Sequence, residues 1–343
     1  MYAPQSQVGG PIRCSNDRQS QAGVAVTDDP SKSGCDAAKL TRAPDGRDAC
    51  AMPGIDLATT LARPIVADGA MGTALFAAGM PVGEAPEAWL LTDAGAAAIT
   101  EIHRSHVRAG AQIILTSTFG ANPLRLVGSD IEGRSAEVCL AAVAAARSAA
   151  GPSVIVAASL GPTGGLLVPH GLLDPGAVRA AYAEEVASLV AAGVDLLWVE
   201  TMMDLREAVA AVDGARDAAP HIPVVATMVF SRGRTMFGDW PAAAAAALAE
   251  HGVAGIGANC GDGFGPVEEV IGALAAAAPG LHVIAKANAG VPVFGPDGET
   301  LYPGTASEAA EYARRVADSG ATIIGGCCGT TAAHVAAIAG AIA

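Results

Sequence analysis

Positive charge is scarce in this chain: 20 lysines and arginines stand against 34 aspartates and glutamates, for a formal net charge of −14. That balance argues against a nucleic-acid groove or an anionic membrane surface as partner. Charge of either sign is sparse, at 16% of residues against 51% hydrophobic, so a substantial core forms easily. No unbroken run of about 18 or more strongly apolar residues occurs, which excludes a transmembrane helix. An apolar signal segment is missing, and the seven cysteines are odd in number and widely spaced. A secreted disulfide framework is therefore not expected. These absences point to a reducing, cytoplasmic setting and a small-molecule ligand.

Residues 1–52 are rich in Ser, Gln, Asp, Gly and Pro and lack hydrophobic periodicity. A disordered tail is expected there, or a true start at Met52. Residues 53–343 are expected to form one domain. From residue 63 a rhythm begins. Eight short apolar runs, Ile65–Asp68, Gln112–Phe119, Val154–Leu160, Leu196–Thr201, Val224–Phe230, Gly255–Cys260, His282–Ala287 and Ala321–Gly326, alternate with alanine-rich helical stretches. The stretches are 93–109, 134–150, 176–192, 204–219, 241–251, 266–278 and 305–319. Continuous apolar runs suit parallel strands buried on both faces. Gly110, Gly193 and Gly320 stand where helices should stop. Eight βα units predict an α/β fold, the (β/α)8 or TIM barrel, with a doubly wound open sheet as the alternative.

In a barrel the active site lies at the C-terminal ends of the strands. The polar residues of this chain sit there, among them Asp68, Thr116, Ser159, Glu200, Asn259, Cys260, Asn288, Cys327 and Cys328. Three converging thiols are enough for a zinc site with one open position. Adjacent side chains of a regular strand point to opposite faces. Cys327 and Cys328 therefore reach one ion only if the backbone leaves strand geometry, as Gly325, Gly326 and Gly329 permit. An electron-rich thiolate set keeps an incoming sulfur nucleophilic, which suits alkyl transfer better than hydrolysis. A lone buried cysteine is usually inert, and Cys139, within a helical stretch, reads as core. A vicinal disulfide would leave Cys260 unexplained, and a structural zinc normally takes four protein ligands. His103 and His106 are expected to pack their helix or lie at the surface, away from the active face. Thr330 and Thr331 are expected to cap the last helix, with orientation of a substrate carboxylate as the alternative.

The ordered motifs resemble the zinc-dependent homocysteine S-methyltransferases over residues 63 to 341. They are Asp68-Gly69-Ala70-Met71-Gly72-Thr73, Thr116-Ser117-Thr118-Phe119-Gly120-Ala121-Asn122, Ser159-Leu160-Gly161-Pro162-Thr163-Gly164, Val199-Glu200-Thr201, Gly257-Ala258-Asn259-Cys260 and Gly325-Gly326-Cys327-Cys328-Gly329-Thr330-Thr331. Gly233-Arg234-Thr235 and Asn288-Ala289-Gly290-Val291-Pro292 are most similar to the homocysteine-binding module of the cobalamin-dependent methionine synthase branch. The resemblance implies one zinc per chain on Cys260, Cys327 and Cys328, and a methyl group transferred to homocysteine sulfur to give methionine. It implies acceptor contacts from Asp68, Thr116 and Glu200. Asn288 would fill the open zinc position, with Asn259 as its rival. The implied donor is a methylated corrinoid (methylcobalamin) carried by a separate corrinoid protein, or otherwise a sulfonium compound. A corrinoid-linked demethylase and a non-catalytic zinc- or thiol-binding module are the alternatives. The chain departs from the family pattern at Ala287, where proline is usual, and in the glycine-rich segment Gly261-Asp262-Gly263-Phe264-Gly265-Pro266. It ends just after the eighth βα unit, which is why a corrinoid would be expected on another protein.

Overall fold

A computed structural model describes residues 40–42, 48–50 and 64–343, apart from positions 266 and 297. Within the first 52 residues, Leu40–Arg42 and Asp48–Cys50 pair as a short antiparallel ladder. The rest of the expected tail and the alternative start at Met52 lie outside the described residues.

The remaining unit is built on eight parallel strands: β1 Ile65–Val66, β2 Ile113–Leu115, β3 Ile155–Leu160, β4 Leu196–Met202, β5 Val224–Met228, β6 Gly255–Cys260, β7 His282–Ala287 and β8 Ile323–Gly326. Each pairs with its neighbour in chain order, and β8 returns to β1 through Ile323↔Ile65 and Ile324↔Val66. A single parallel bridge, Ala67↔Ile113, joins β1 to β2 and closes the ring. The helices that follow the strands are α1 Asp93–Arg108, α2 Ser135–Ala150, α3 Pro175–Ala192, α4 Leu205–Ala218, α5 Pro241–Glu250, α6 Val267–Ala277, α7 Ala306–Asp318 and α8 Ala332–Ile342. This is the (β/α)8 barrel. Gly110, Gly193 and Gly320 all adopt positive φ where helices end, a conformation that costs glycine little. No helix among the described residues is long and apolar enough to cross a membrane.

Strand alternation divides the core in two. Ile65, Ala67, Ile113, Leu115, Ile155, Ala157, Leu196, Trp198, Val225, Ile284 and Ile323 form one buried cluster inside the barrel. Val66, Ile114, Val156, Ala158, Leu197 and Val199, the intervening positions, belong to the larger cluster shared with the helices. Trp198 is fully buried, and its indole N–H donates to Thr227 Oγ1 at 3.2 Å. Side chains thus fill the barrel interior.

Five strands are shorter than their apolar runs, β2 most of all. β2 ends at Leu115 because Thr116 and Thr118 turn their hydroxyls onto each other and onto the Ser159 backbone. Such side-chain bonds compete with a ladder. β5 likewise ends at Met228.

Candidate metal centre and acceptor cavity

β8 stops at Gly326, so Cys327 and Cys328 lie in the turn beyond it. The Cys327 N–H donates to Ala287 O at 2.8 Å, the Cys328 N–H to Asn288 Oδ1 at 3.0 Å, and the Thr330 N–H back to Cys327 O at 3.1 Å. Gly329 follows at φ 78°, and a Cβ there would stand 2.2 Å from Tyr302 Cβ. The cysteine pair therefore leaves strand geometry, as convergence on one ion demands.

Cys260 closes β6 with φ 59°. Two strands away on the rim Thr201, in β4, has φ 62°. Left-handed backbone at non-glycine residues is uncommon, and for β-branched threonine it is strained; strain of this kind concentrates at functional sites. Asn259 holds both residues in place. Its Oδ1 accepts from the Thr201 N–H at 2.9 Å, and its Nδ2 donates to Thr201 Oγ1 at 2.7 Å. The same amide approaches Cys260 Sγ at 3.6 Å and Cys327 Sγ at 3.8 Å.

The sulfurs of Cys260, Cys327 and Cys328 all lie within 4.8 Å of one another, and the thiols are free. Cys260 and Cys327 approach to 2.9 Å. Hydrogen bonds from Cys260 and Cys327 hold the Cys328 thiol down at about 3, with the Tyr302 hydroxyl adding to them. The contacts with Cys327 and Cys328, then burial, push Cys260 far above the ordinary thiol range. A cluster that shares its protons so tightly is suited to exchanging them for a cation. Among the described residues no further His, Cys, Asp or Glu joins the cluster. The donor set is three sulfurs with an open position, which fits zinc in its catalytic form. Cys139 lies elsewhere, buried in α2, with burial pushing its thiol up to about 12.

All three cysteines line a cavity of about 340 Å³, together with Asp68, Thr116, Ser159, Glu200 and Lys286. Glu200 Oε1 accepts from Ser159 Oγ. Burial raises the Glu200 carboxyl to about 7, against the pull of Lys286 and with the help of Cys327. Asp68 Oδ2 accepts from the Leu115 N–H at 2.8 Å, and Oδ1 from Lys286 Nζ at 2.6 Å. Thr116 Oγ1 accepts from the Ser159 N–H at 3.1 Å. Its own proton goes to Thr118 Oγ1 at 2.8 Å, because Thr118 spends its single proton on Ser159 O.

Asn288 is placed differently from its expected role. Its Nδ2 donates to Gly261 O at 3.2 Å and its Oδ1 accepts from the Cys328 N–H, so both ends of the amide grip the two cysteine loops. The asparagine amide within reach of sulfur is Asn259. The glycine-rich segment after Cys260 is tied to the β5 loop, where Asp262 accepts from Ser231 Oγ at 2.8 Å and from the Arg232 N–H at 2.9 Å. It walls a second cavity of about 340 Å³ that Cys260 also lines, with Phe230, Trp240 and Val270.

Lys286 and Tyr302 escape the sequence reading, and Thr330 takes a different part from the capping expected of it. Lys286 is a buried cation on the cavity floor, Tyr302 reaches Cys328 from the loop before α7, and Thr330 bridges Ala70 N at 3.0 Å and Cys327 O at 2.6 Å. His103 and His106 are fully buried, not at the surface. Burial holds His103 down at about 4 and lowers His106, against the attraction of Asp68. Neutral histidines leave Lys286 as the cation that Asp68 pairs with. Thr331 is the N-cap residue of α8, and His334 accepts its N–H at 3.1 Å.

A family model described as homocysteine S-methyltransferase matches residues 65–342. The chain is similar to methionine synthase of Mycobacterium tuberculosis, with 35% identity over 297 residues, covering 82% of this chain and 25% of that protein. It is also similar to methionine synthase of Mycobacterium leprae, with 35% identity over 305 residues, covering 84% and 25% respectively. The chain spans about a quarter of the length of these curated relatives. In fold it is similar to the metallated form of the homocysteine methyltransferase MmuM from Escherichia coli, at a TM-score of 0.68 and 24% identity, covering 81% of this chain and 96% of that one.

Proposed function

The chain belongs to the homocysteine S-methyltransferase family, and from that premise we propose that it transfers a methyl group to the thiol of homocysteine, giving methionine. The observation that carries this reading is the convergence of three free cysteine sulfurs on the cavity that holds Glu200 and Lys286. Cys260, Cys327 and Cys328 would hold one zinc ion. Bound there, zinc supplies the Lewis acidity that makes the acceptor sulfur a nucleophile at neutral pH.

The chain's own side chains do the rest. Glu200 faces the acceptor's ammonium, with Ser159 fixing one carboxylate oxygen. Asn259 and Asn288 hold the cysteine loops in register from either side. Asp68 and Thr116 line the cavity and brace its floor through Leu115, Lys286 and Ser159. In the transfer, a sulfur lone pair forms the new S–CH3 bond, the pair of the broken donor–CH3 bond stays with the donor, and the thiol proton passes to solvent. Holding the acceptor sulfur in line with the donor removes an orientational cost from the barrier. The likeness to methionine synthases favours a methylated corrinoid on a separate module or protein as donor, over a sulfonium compound.

The test is methionine formation by reduced, zinc-loaded chain with homocysteine and, in parallel, methylcobalamin, S-methylmethionine or S-adenosylmethionine. Methionine from methylcobalamin is expected, together with its loss in Cys260→Ala, Cys327→Ala and Cys328→Ala. Absence of methionine with every donor would overturn the reading.

A further inference from the structure

Lys286 is the least expected residue in the cavity. It sits within β7, one strand from each of the two cysteine-bearing strands. Its side chain is 4% exposed, as is that of Asp68, and the two meet at 2.6 Å. An ammonium buried this far needs an anion, and Asp68 supplies it. Asp68 in turn accepts one hydrogen bond on each oxygen, the second from the Leu115 N–H. With the Lys286 ammonium already neutralising it, Asp68 offers little attraction to a second cation such as a substrate ammonium. Glu200, held through Ser159 Oγ, is left to attract one.

Lys286 also has donors to spare. An ammonium carries three N–H groups, and one goes to Asp68. Among the described residues the other two have no hydrogen-bond acceptor, and the residue lines the same cavity as the three cysteines. Nζ lies 5.3 Å from the centre of the Trp198 ring, which walls the barrel side. The open donors therefore suit an anionic group on the acceptor.

We infer that Lys286 determines acceptor specificity: its ammonium occupies, on Asp68, the place an acceptor's amino group would take, and its free N–H donors receive the acceptor's carboxylate. The substrate class is thus thiol carboxylates, with the α-amino group dispensable. Homocysteine belongs to the class, and so does its analogue lacking the amino group. This inference rests on the thiol-acceptor reading of the site. The transfer itself is unchanged: the S–CH3 bond forms, the donor–CH3 bond breaks and the thiol proton departs.

The test compares three thiols on the reduced, zinc-loaded full chain: homocysteine, 4-mercaptobutyrate, which lacks the amino group, and 3-aminopropane-1-thiol, which lacks the carboxylate. Binding is measured by titration calorimetry without donor, and methyl transfer with it. We expect 4-mercaptobutyrate to bind within about tenfold of homocysteine. The aminothiol should bind at least about tenfold more weakly than 4-mercaptobutyrate, as expected for losing a hydrogen bond to a charged group. In Lys286→Met the preference for 4-mercaptobutyrate relative to homocysteine should fall by about tenfold or more. A purely structural Lys286 would lower both thiols together and leave that ratio unchanged, which would overturn the inference. So would an aminothiol that outbinds 4-mercaptobutyrate in the unmodified chain, a comparison that needs no variant to fold. Methylation of homocysteine with no binding of 4-mercaptobutyrate would overturn this inference alone. Failure of all three thiols to bind would overturn the thiol-acceptor reading and this inference with it.

Discussion

The Asp68–Lys286 pair gives a sharp energetic prediction. Nζ and Oδ1 meet at 2.6 Å with both side chains 4% exposed. Burial pulls the Lys286 ammonium down, but Asp68 and Glu200 more than offset it and hold the residue above the usual range. Lys286→Met keeps the volume of the stem but leaves the Asp68 carboxylate with the Leu115 N–H as its remaining donor. Asp68→Asn retains an acceptor for that N–H but turns a second donor group toward the ammonium. Removing one partner of a buried pair typically costs about 3–5 kcal/mol. At about 2 °C per kcal/mol for a domain of this size, each single variant should melt roughly 6–10 °C lower. The double variant leaves no uncompensated charge, so it should be less destabilised than the sum of the singles by about 2–4 kcal/mol. Urea unfolding of the reduced, metal-free chain and its three variants measures this cycle. Additivity within about 0.5 kcal/mol would refute the reasoning, because it would mean the two charges do not depend on each other.

Other perturbations follow from the same geometry. Glu200 has a folded pKa near 7 against a reference of 4.5, so between those values the folded chain binds the extra proton. Stability should therefore fall as pH rises from about 4.5 to 7 and level off above, by at most about 3 kcal/mol. Glu200→Gln should flatten that slope in metal-free protein, and an unchanged slope would assign it to other groups. Asn259→Ala strips Thr201 of the partners that hold its positive φ, and should cost about 1–3 kcal/mol. It should also weaken zinc retention, seen as faster metal loss to a chelator than from the unmodified chain. Gly329→Ala adds a Cβ 2.2 Å from Tyr302 Cβ at φ 78°. Because it displaces the turn that carries the cysteines, zinc retention and turnover should both drop, while Gly340→Ala, with open space at its Cβ, should change neither.

Much of the architecture was legible in the chain itself, because parallel strands buried on both faces write continuous apolar runs between glycine-ended helices. The three cysteines were legible too, since a Cys-Cys pair bracketed by glycines has few packing explanations. Lys286 was harder to see because a lone lysine in a short, largely apolar strand carries no motif of its own. Yet the signal exists: Ile284 faces the barrel interior, and side chains two residues apart share a face, so Lys286 had to point inward. Tyr302 gave no signal, as its approach depends on the short antiparallel ladder Val293–Phe294 with Thr300–Leu301 that folds its loop over the rim. Asn259 and Asn288 could not be told apart by spacing. In the fold Asn259 reaches sulfur as well as Thr201, whereas Asn288 bonds the backbone of the two cysteine loops. The burial of His103 and His106 was legible in their spacing, since with Ile99 they stand at i, i+4 and i+7 on the buried face of α1.

Cys260, Cys327 and Cys328 are proposed to hold a zinc ion whose open position takes the acceptor thiol. X-ray absorption at the zinc edge tests it most directly, on reduced, zinc-loaded chain before and after addition of homocysteine. The account predicts three sulfur ligands and one lighter ligand beforehand, and four sulfurs afterwards. A first shell that is not sulfur-rich, or one that homocysteine leaves unchanged, would contradict it.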